Sequence, residues 1–234
     1  VWYYDLDDPP PADGGSCLDP AERERAARFY RERDGLRFRA AHCAFRHLVA
    51  GYLGCDPAAV TITRECAHCG DPRHGKPMVA GLIEVNASHS DALGALAVAL
   101  PPLRLGMDVE RHRPNVNWAG ILPDPAAAEP PNDGFEQWTR LEAVAKAAGT
   151  GIVRMPRLSA PGPDGWAPAA FPTNPDGPAG PDSPAGPAGS HGPARLPAGG
   201  PDWRVRSLAP PEGYAAALAV SSVPAAGVAV HWYR

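Results

Sequence analysis

Two lysines, Lys76 and Lys146, stand among 22 lysine and arginine residues, so every other member of that set is arginine. In a chain so rich in Ala, Gly, Pro and Arg, a lysine that persists marks a place where a compact ammonium is needed and a planar guanidinium does not fit. Each lysine lies in a dense polar cluster. Lys76 sits in Arg73-His74-Gly75-Lys76-Pro77, and Lys146 follows Glu142 by four residues. Between them come Asn86-Ala87-Ser88-His89-Ser90 and Gly106-Met107-Asp108-Val109-Glu110. On a strand, Asp108 and Glu110 point to one face because side chains alternate. Two such carboxylates repel unless a cation lies between them, and Glu142 from a following helix supplies a third oxygen ligand. Three carboxylates with room for water and phosphate oxygens suit Mg²⁺ far better than zinc. Alone, each motif is also what a solvated strand edge or an ordinary i,i+4 ion pair looks like. Their order in one chain favours the metal.

The other polar motifs point the same way. Ser88, His89 and Ser90 offer hydroxyls and an imidazole to phosphate oxygens, and no G-x-S-x-G elbow accompanies them to suggest a hydrolase. Gly75-Lys76-Pro77 is a rigid turn carrying a cation, without the glycine spacing of a P-loop. The arginines between Arg23 and Arg46 line a helix face; such a stripe is usually solvated, but beside the Lys76 loop it suits a phosphorylated ligand.

The elements that must position these groups follow from the apolar pattern. A short strand is expected over residues 1–8, then a helix near Ala21–Tyr30 opened by Pro20. Gly35 breaks or loosens it. A second helix over Leu36–Leu53 carries Phe38, Ala41, Phe45, Leu48 and Tyr52 at helical spacing, and Gly54 ends it. Strands are predicted at Val60–Thr63, Met78–Val85, Leu93–Leu100 and Leu103–Glu110, with Asn86–Ser90 as the turn between the second and third. Phe135–Ala148 reads as a helix with Trp138, Leu141, Val144 and Ala145 on its buried face. The stretch 157–202 is Pro/Gly/Ala text without a collagen register, expected as a mobile insertion. Strands resume at Trp203–Leu208, Tyr214–Ser221 and Val228–Tyr233.

Composition bounds the class. The chain has 234 residues, 44% hydrophobic and 21% charged, enough for one large domain or two small ones. A net charge of −4 argues against a general nucleic-acid binder. No apolar run is long enough to span a bilayer. The start, Val1–Leu6, lacks the basic and apolar regions of a signal peptide. Five cysteines without framework spacing fit a reduced, cytoplasmic setting. Cys66 and Cys69 form a single Cys-x-x-Cys, which without a second pair reads as a turn with thiols rather than a zinc site.

Taken together the four motifs resemble those of the 4′-phosphopantetheinyl transferases of the surfactin-synthetase-activating (Sfp) type. In that family a Gly-Lys-Pro turn, an Asn-x-Ser-His-Ser segment, a Gly-x-Asp-x-Glu strand and a Trp-x-x-x-Glu-Ala-x-x-Lys helix follow in this order. Here they stand as Gly75–Pro77, Asn86–Ser90, Gly106–Glu110 and Trp138–Lys146. The resemblance runs from about Pro20 to Gly151 and returns at Trp203–Ser221. The Cys66-x-x-Cys69-Gly70 segment before His74 resembles a variant common in members from actinobacteria.

The resemblance implies an α+β fold of two similar α/β halves related by a pseudo-two-fold. Each is a small antiparallel sheet on a helix, with the ligand cleft between residues 1–102 and 103–234. It implies coenzyme A as substrate. Gly75, Lys76 and Pro77 would serve its adenine end, Ser88 and His89 its phosphates, and Arg33 and Arg37 its 3′-phosphate. Asp108, Glu110 and Glu142 would hold Mg²⁺ (or Mn²⁺) on the pyrophosphate, with Lys146 also contacting it. The implied reaction moves phosphopantetheine onto a serine of an apo acyl or peptidyl carrier protein, with Glu142 as general base and Lys146 stabilising the leaving phosphate. A monomer is the default. Two departures stand out: Leu141 where the family often has lysine, and a short, proline-rich stretch between Glu110 and Phe135. The rival readings are another Mg²⁺-dependent phosphohydrolase, a coenzyme A or carrier-binding module without catalysis, and a zinc-stabilised adaptor.

Overall fold

The computed structural model describes residues 1–7, 15–65, 75–80, 83–123, 133–151, 155–171, 202–224 and 227–233. The Cys66-x-x-Cys69 segment and residues 172–201 lie outside them. Eleven strands and three α-helices are present among the described residues.

The first helix, α1, spans Pro20–Ala27 and starts with a capping box. Asp19 accepts from the Glu22 amide while the Glu22 carboxylate accepts from the Asp19 amide. Helix α2 spans Glu32–Leu53 and ends on Gly54 in the left-handed conformation. Gly35 was expected to break the helical run but lies inside α2. A Cβ there would stand 2.8 Å from the Ala26 carbonyl, so the missing side chain lets α1 close onto α2.

One four-stranded sheet runs in the order β11-β1-β5-β4, with β1 Trp2–Asp5, β4 Glu84–Ser90, β5 Leu93–Ala99 and β11 His231–Trp232. Only the β1–β11 pair in it is parallel. The end of the chain thus returns to the sheet built by its beginning. A second sheet of five antiparallel strands runs β6-β10-β9-β8-β7. Its strands are β6 Leu105–Arg111, β7 Arg157–Leu158, β8 Ala167–Ala170, β9 Trp203–Leu208 and β10 Tyr214–Val220. Two of these strands fall in the stretch expected to be irregular. A separate ribbon pairs β2 Ile62–Glu65 with β3 Lys76–Val79.

Period-two alternation explains the layering. Tyr4, Val85 and Leu96 face α2, where Ala41, Phe45, Leu48 and Val49 meet them. Tyr3, Leu93, Ala95 and Ala97 point to the other face and pack on Leu105, Met107, Val109 and Leu218 of the second sheet. Helix α3, Asp133–Ala148, covers the second sheet with Ala143, Val144 and Ala147 against Val205, Ala217 and Ala219. Small residues on both sides bring helix and sheet close. A Cβ on Gly106 would lie 2.2 Å from the Ala143 carbonyl and from the Ala147 amide nitrogen.

The Asn86–Ser90 segment is a correction to the sequence reading. It is not a turn but the last five residues of β4, and the turn is Asp91-Ala92, with Asp91 at φ 51°. Its Asn and Ser side chains look like loop chemistry because they hydrogen-bond to a neighbouring strand instead of to water. Likewise Met78–Val85 is not one strand, since β3 ends at Val79 and β4 begins at Glu84.

Candidate functional site

Strands β4 and β6 come from different sheets, and side chains rather than a backbone ladder join them. Asn86, Ser88 and Ser90 recur every second residue and so share one face. Asn86 Oδ1 accepts from the Met107 amide at 2.8 Å, Ser88 Oγ from Val109 at 3.3 Å and Ser90 Oγ from Arg111 at 3.1 Å. The two hydroxyls then donate onward, Ser88 to Asp108 Oδ1 at 2.8 Å and Ser90 to Glu110 Oε2 at 2.8 Å. Both acids are thereby fixed by the strand next door.

Asp108 is buried, and Lys146 of α3 reaches it at 2.6 Å and Ser88 Oγ at 3.0 Å. Glu142 lies one turn earlier on α3. Burial raises its pKa, Lys146 opposes that, and the charges of Asp108 and Glu110 raise it further. Asp108 and Glu110 therefore stand within electrostatic reach of Glu142. Their carboxylates do not close on a common point: among the described residues no group of three His, Cys, Asp or Glu side chains is poised to hold a metal ion. Lys146 occupies Asp108 Oδ1, while Asp108 Oδ2 is buried with no hydrogen-bond partner among the described residues.

A cavity of about 710 Å³ opens beside this junction, between α2, the β2–β3 ribbon and β4. Arg37, Gly75, Pro77, Ser88 and His89 are among the residues that border it. His89 is exposed toward this open space yet enclosed by its walls; desolvation, then the charges of Lys146 and His42, lowers its pKa. Arg33, Lys76 and Lys146 are not part of the walls. Lys76 instead donates to Glu84 and, at 2.7 Å, to the Leu105 carbonyl, tying β3 to the start of β6. Burial pushes its ammonium pKa down, with Glu84 opposing. Both lysines therefore bridge elements through a compact ammonium, which accounts for their survival among arginines.

The arginines expected to meet a phosphate already have partners. Arg37 grips Asp7 with Nε at 2.7 Å and a terminal nitrogen at 2.9 Å, and also reaches Asp91. Arg33 joins it on Asp7 at 2.7 Å. The Arg37 hydrogen bond, then that of Arg33, holds the Asp7 carboxyl well below the usual carboxylate range.

Other wall residues escaped the sequence reading. His42 and Phe38 border the cavity with their rings 4.1 Å apart, and Arg25 lies over Phe38 at 5.3 Å. His42 Nδ1 meets Glu22 at 2.7 Å, and Glu22 also accepts from Arg46 Nε at 2.8 Å. Arg46 is no part of a solvated stripe. It is 3% exposed and further bonded to Asp19 and the Val60 carbonyl. Burial alone would raise the Glu22 pKa; the hydrogen bonds from His42, the Asp19 amide and Arg46 outweigh it and bring it to about 2. The sequence signal was the Asp19-x-x-Glu22 cap together with His42 and Arg46 one turn apart on α2.

No family model matches the chain. A curated protein is similar to it at 27% identity over 238 aligned positions, covering 94% of this chain and 86% of the relative. That relative is the 4′-phosphopantetheinyl transferase HetI of Nostoc sp.. The likeness to HetI spans all four motifs and supports the phosphopantetheinyl transferase family. The mixed α+β architecture is compatible with it. Among the described residues no helix is long and apolar enough to cross a membrane.

Proposed function

We propose that this chain is a 4′-phosphopantetheinyl transferase of the Sfp type that moves the phosphopantetheine arm of coenzyme A onto a serine of an apo acyl or peptidyl carrier protein. The observation that carries the reading is that Asp108, Glu110 and Lys146 lie within electrostatic reach of Glu142, beside a cavity bordered by Ser88 and His89. The likeness to HetI supports the same activity and favours neither the phosphohydrolase nor the binding-only alternative. The reading includes two halves meeting near Leu103 with a pseudo-two-fold between them; the cavity itself is lined by residues of the first half, from Tyr4 to Asp91.

The donor set fits a hard divalent cation. Among the described residues Asp108 Oδ2 is buried without a partner, and Glu142, whose pKa is raised by burial first and then by the charges of Asp108 and Glu110, gains a counter-charge from such an ion. Asp108, Glu110 and Glu142 would hold Mg²⁺ or Mn²⁺, which when bound neutralises charge on the pyrophosphate. Glu142, or a water it orients, takes the proton of the carrier serine as its oxygen attacks phosphorus. The new P–O bond joins serine to phosphopantetheine, the pyrophosphate P–O bond breaks, and adenosine 3′,5′-bisphosphate leaves. Lys146 sets its charge against the departing phosphate. Gly75 and Pro77 border the adenine end and His89 the phosphates. Lys76 and Ser88 act by holding β6 in register.

Intact-protein mass spectrometry of apo acyl and peptidyl carriers incubated with the chain, coenzyme A and Mg²⁺ tests this. One added phosphopantetheine on the carrier serine, lost with EDTA and in Glu142→Gln, is the expected result. Bound coenzyme A with no transfer to either carrier rejects the transferase in favour of a binding module.

A further inference from the structure

We infer that Cys17 and Cys43 are a redox-sensitive pair that closes to a disulfide and locks α1 onto α2. The inference stands apart from the coenzyme A reading, and no spacing among the cysteines marks it in the sequence.

Cys17 Sγ donates to Cys43 Sγ at 3.2 Å, across 26 residues of chain. Nonbonded carbon atoms settle at roughly 3.5–4.0 Å, and sulfur is the larger atom, so two thiols this near are closer than packing alone would bring them. Reaching the roughly 2.05 Å of an S–S bond asks for a movement of only about 1 Å. Both side chains are buried, Cys17 at 3% and Cys43 at 0% exposure, and with Leu18 they form a small cluster separate from the three larger cores.

The surrounding elements hold the pair in register. Cys17 stands two residues before Asp19, the cap of α1. Cys43 lies on α2 between His42 and Arg46. Asp19 and Glu22 both bind Arg46, and Glu22 also meets His42. The polar clamp that seats α1 on α2 therefore fixes both ends of the cysteine pair. Gly35 lets the same two helices close further, since a Cβ there would press on the Ala26 carbonyl. Bond formation needs no rearrangement of either helix.

The chemistry is thiol–disulfide exchange with a small-molecule disulfide as the oxidant. Cys17 lies in a turn and Cys43 in the body of α2, so local opening of residues 15–19 exposes the Cys17 sulfur first. Its thiolate attacks the small disulfide, forming a mixed disulfide and expelling one small thiol. As the turn recloses, the Cys43 sulfur attacks the Cys17 sulfur, the protein S–S bond forms and the second small thiol leaves. The two protons given up by the cysteines end on the two released thiols.

The bond lies behind the cavity wall. Arg25 of α1 and Phe38, His42 and Phe45 of α2 border the cavity, and neither cysteine does. Oxidation thus fixes two wall elements against each other without placing sulfur in the path of a ligand.

The test uses the full chain equilibrated with oxidised glutathione or with dithiothreitol, alkylated, and digested with trypsin without reduction. The oxidised sample is expected to yield Val1–Arg23 joined to Ala40–Arg46, the tryptic peptides that carry Cys17 and Cys43. Its Tm is expected to exceed that of the reduced sample by about 5–15 °C, the effect of a cross-link that closes a loop of this size. Cys17→Ala and Cys43→Ala should each abolish the rise, so either variant serves if the other fails to fold. Cys55→Ala should keep it, because Cys55 is exposed beyond the end of α2. A linked peptide that is absent, or that forms only in urea, overturns the pairing. A rise in Tm that survives in Cys17→Ala or Cys43→Ala assigns it to other cysteines and overturns it as well. A linked peptide with no rise in Tm overturns the lock.

Discussion

Replacing Ser88 with alanine removes one oxygen that serves three partners. Its hydroxyl donates to buried Asp108, accepts the Val109 amide and accepts the Lys146 ammonium. A hydrogen bond to a charged group contributes about 1.5–3 kcal/mol, and a buried amide left without a partner costs about 1–3 kcal/mol. Lys146 still reaches Asp108 in the variant, so the two figures do not add in full. A loss of about 2–4 kcal/mol is expected, which for a chain of 234 residues lowers Tm by about 5–15 °C. Ser90→Ala is the internal control. It makes the same pattern of bonds to Glu110 and Arg111, but Arg111 is exposed and Ser90 half-buried, so the expected loss is about 0.5–1.5 kcal/mol. Thermal and urea unfolding of both variants, paired with coenzyme A titration, separates positioning from ligand contact. If Ser88 holds strands, stability falls sharply and coenzyme A affinity changes little. If Ser88→Ala keeps its stability and loses only affinity, or if the two serines cost the same, the argument from burial and shared partners is wrong.

Glu22→Gln should lose about 3 kcal/mol at neutral pH, since the Glu22 carboxyl is nine-tenths buried and its pKa falls from 4.5 to about 2 on folding. A depressed carboxylate stabilises only above its unfolded pKa, so the difference from wild type should shrink from about pH 4.5 and vanish near pH 2; a gap that stays constant with pH in urea unfolding would refute the charge network. Glu142 has the opposite sign. Its raised pKa means the ionised form is penalised in the fold, so Glu142→Gln in EDTA should be more stable than wild type at pH 7, with the difference closing as the pH falls through the raised folded pKa and essentially gone by about pH 4.5. A less stable Glu142→Gln at pH 7 contradicts this. Gly106→Ala drives a Cβ into the backbone of α3 at 2.2 Å and should unfold the second sheet or cost more than about 3 kcal/mol, measured as lost soluble yield or a collapsed Tm.

Much of the scaffold was legible because its signals are local. Apolar spacing on Phe38, Ala41, Phe45 and Leu48 placed α2, and Gly54 marked its end. Strands β5, β9 and β10 are within a residue of expectation for the same reason. The carboxylates were legible because Asp108 and Glu110 alternate on a strand and Glu142 sits on a helix with Lys146. What the sequence hid depends on partners far along the chain. Asn86, Ser88 and Ser90 look like a turn until β6, some twenty residues on, supplies the amides they bind. Lys76 looks like a ligand-facing cation until the Leu105 carbonyl is found beside it. Arg37 looks available for phosphate until Asp7 and Asp91 take it. Composition identifies polar groups; only the fold says which of them are already satisfied.

The side-chain junction has a further consequence for how this protein behaves among its copies. An exposed strand edge presents a row of amides that invites another chain to add on. On β6 one row is taken by β10 through the backbone, and the amides of Met107, Val109 and Arg111 are taken by Asn86, Ser88 and Ser90. The strand bearing the acidic residues therefore offers no template for intermolecular pairing, and the three polar residues of β4 act as a built-in guard against aggregation.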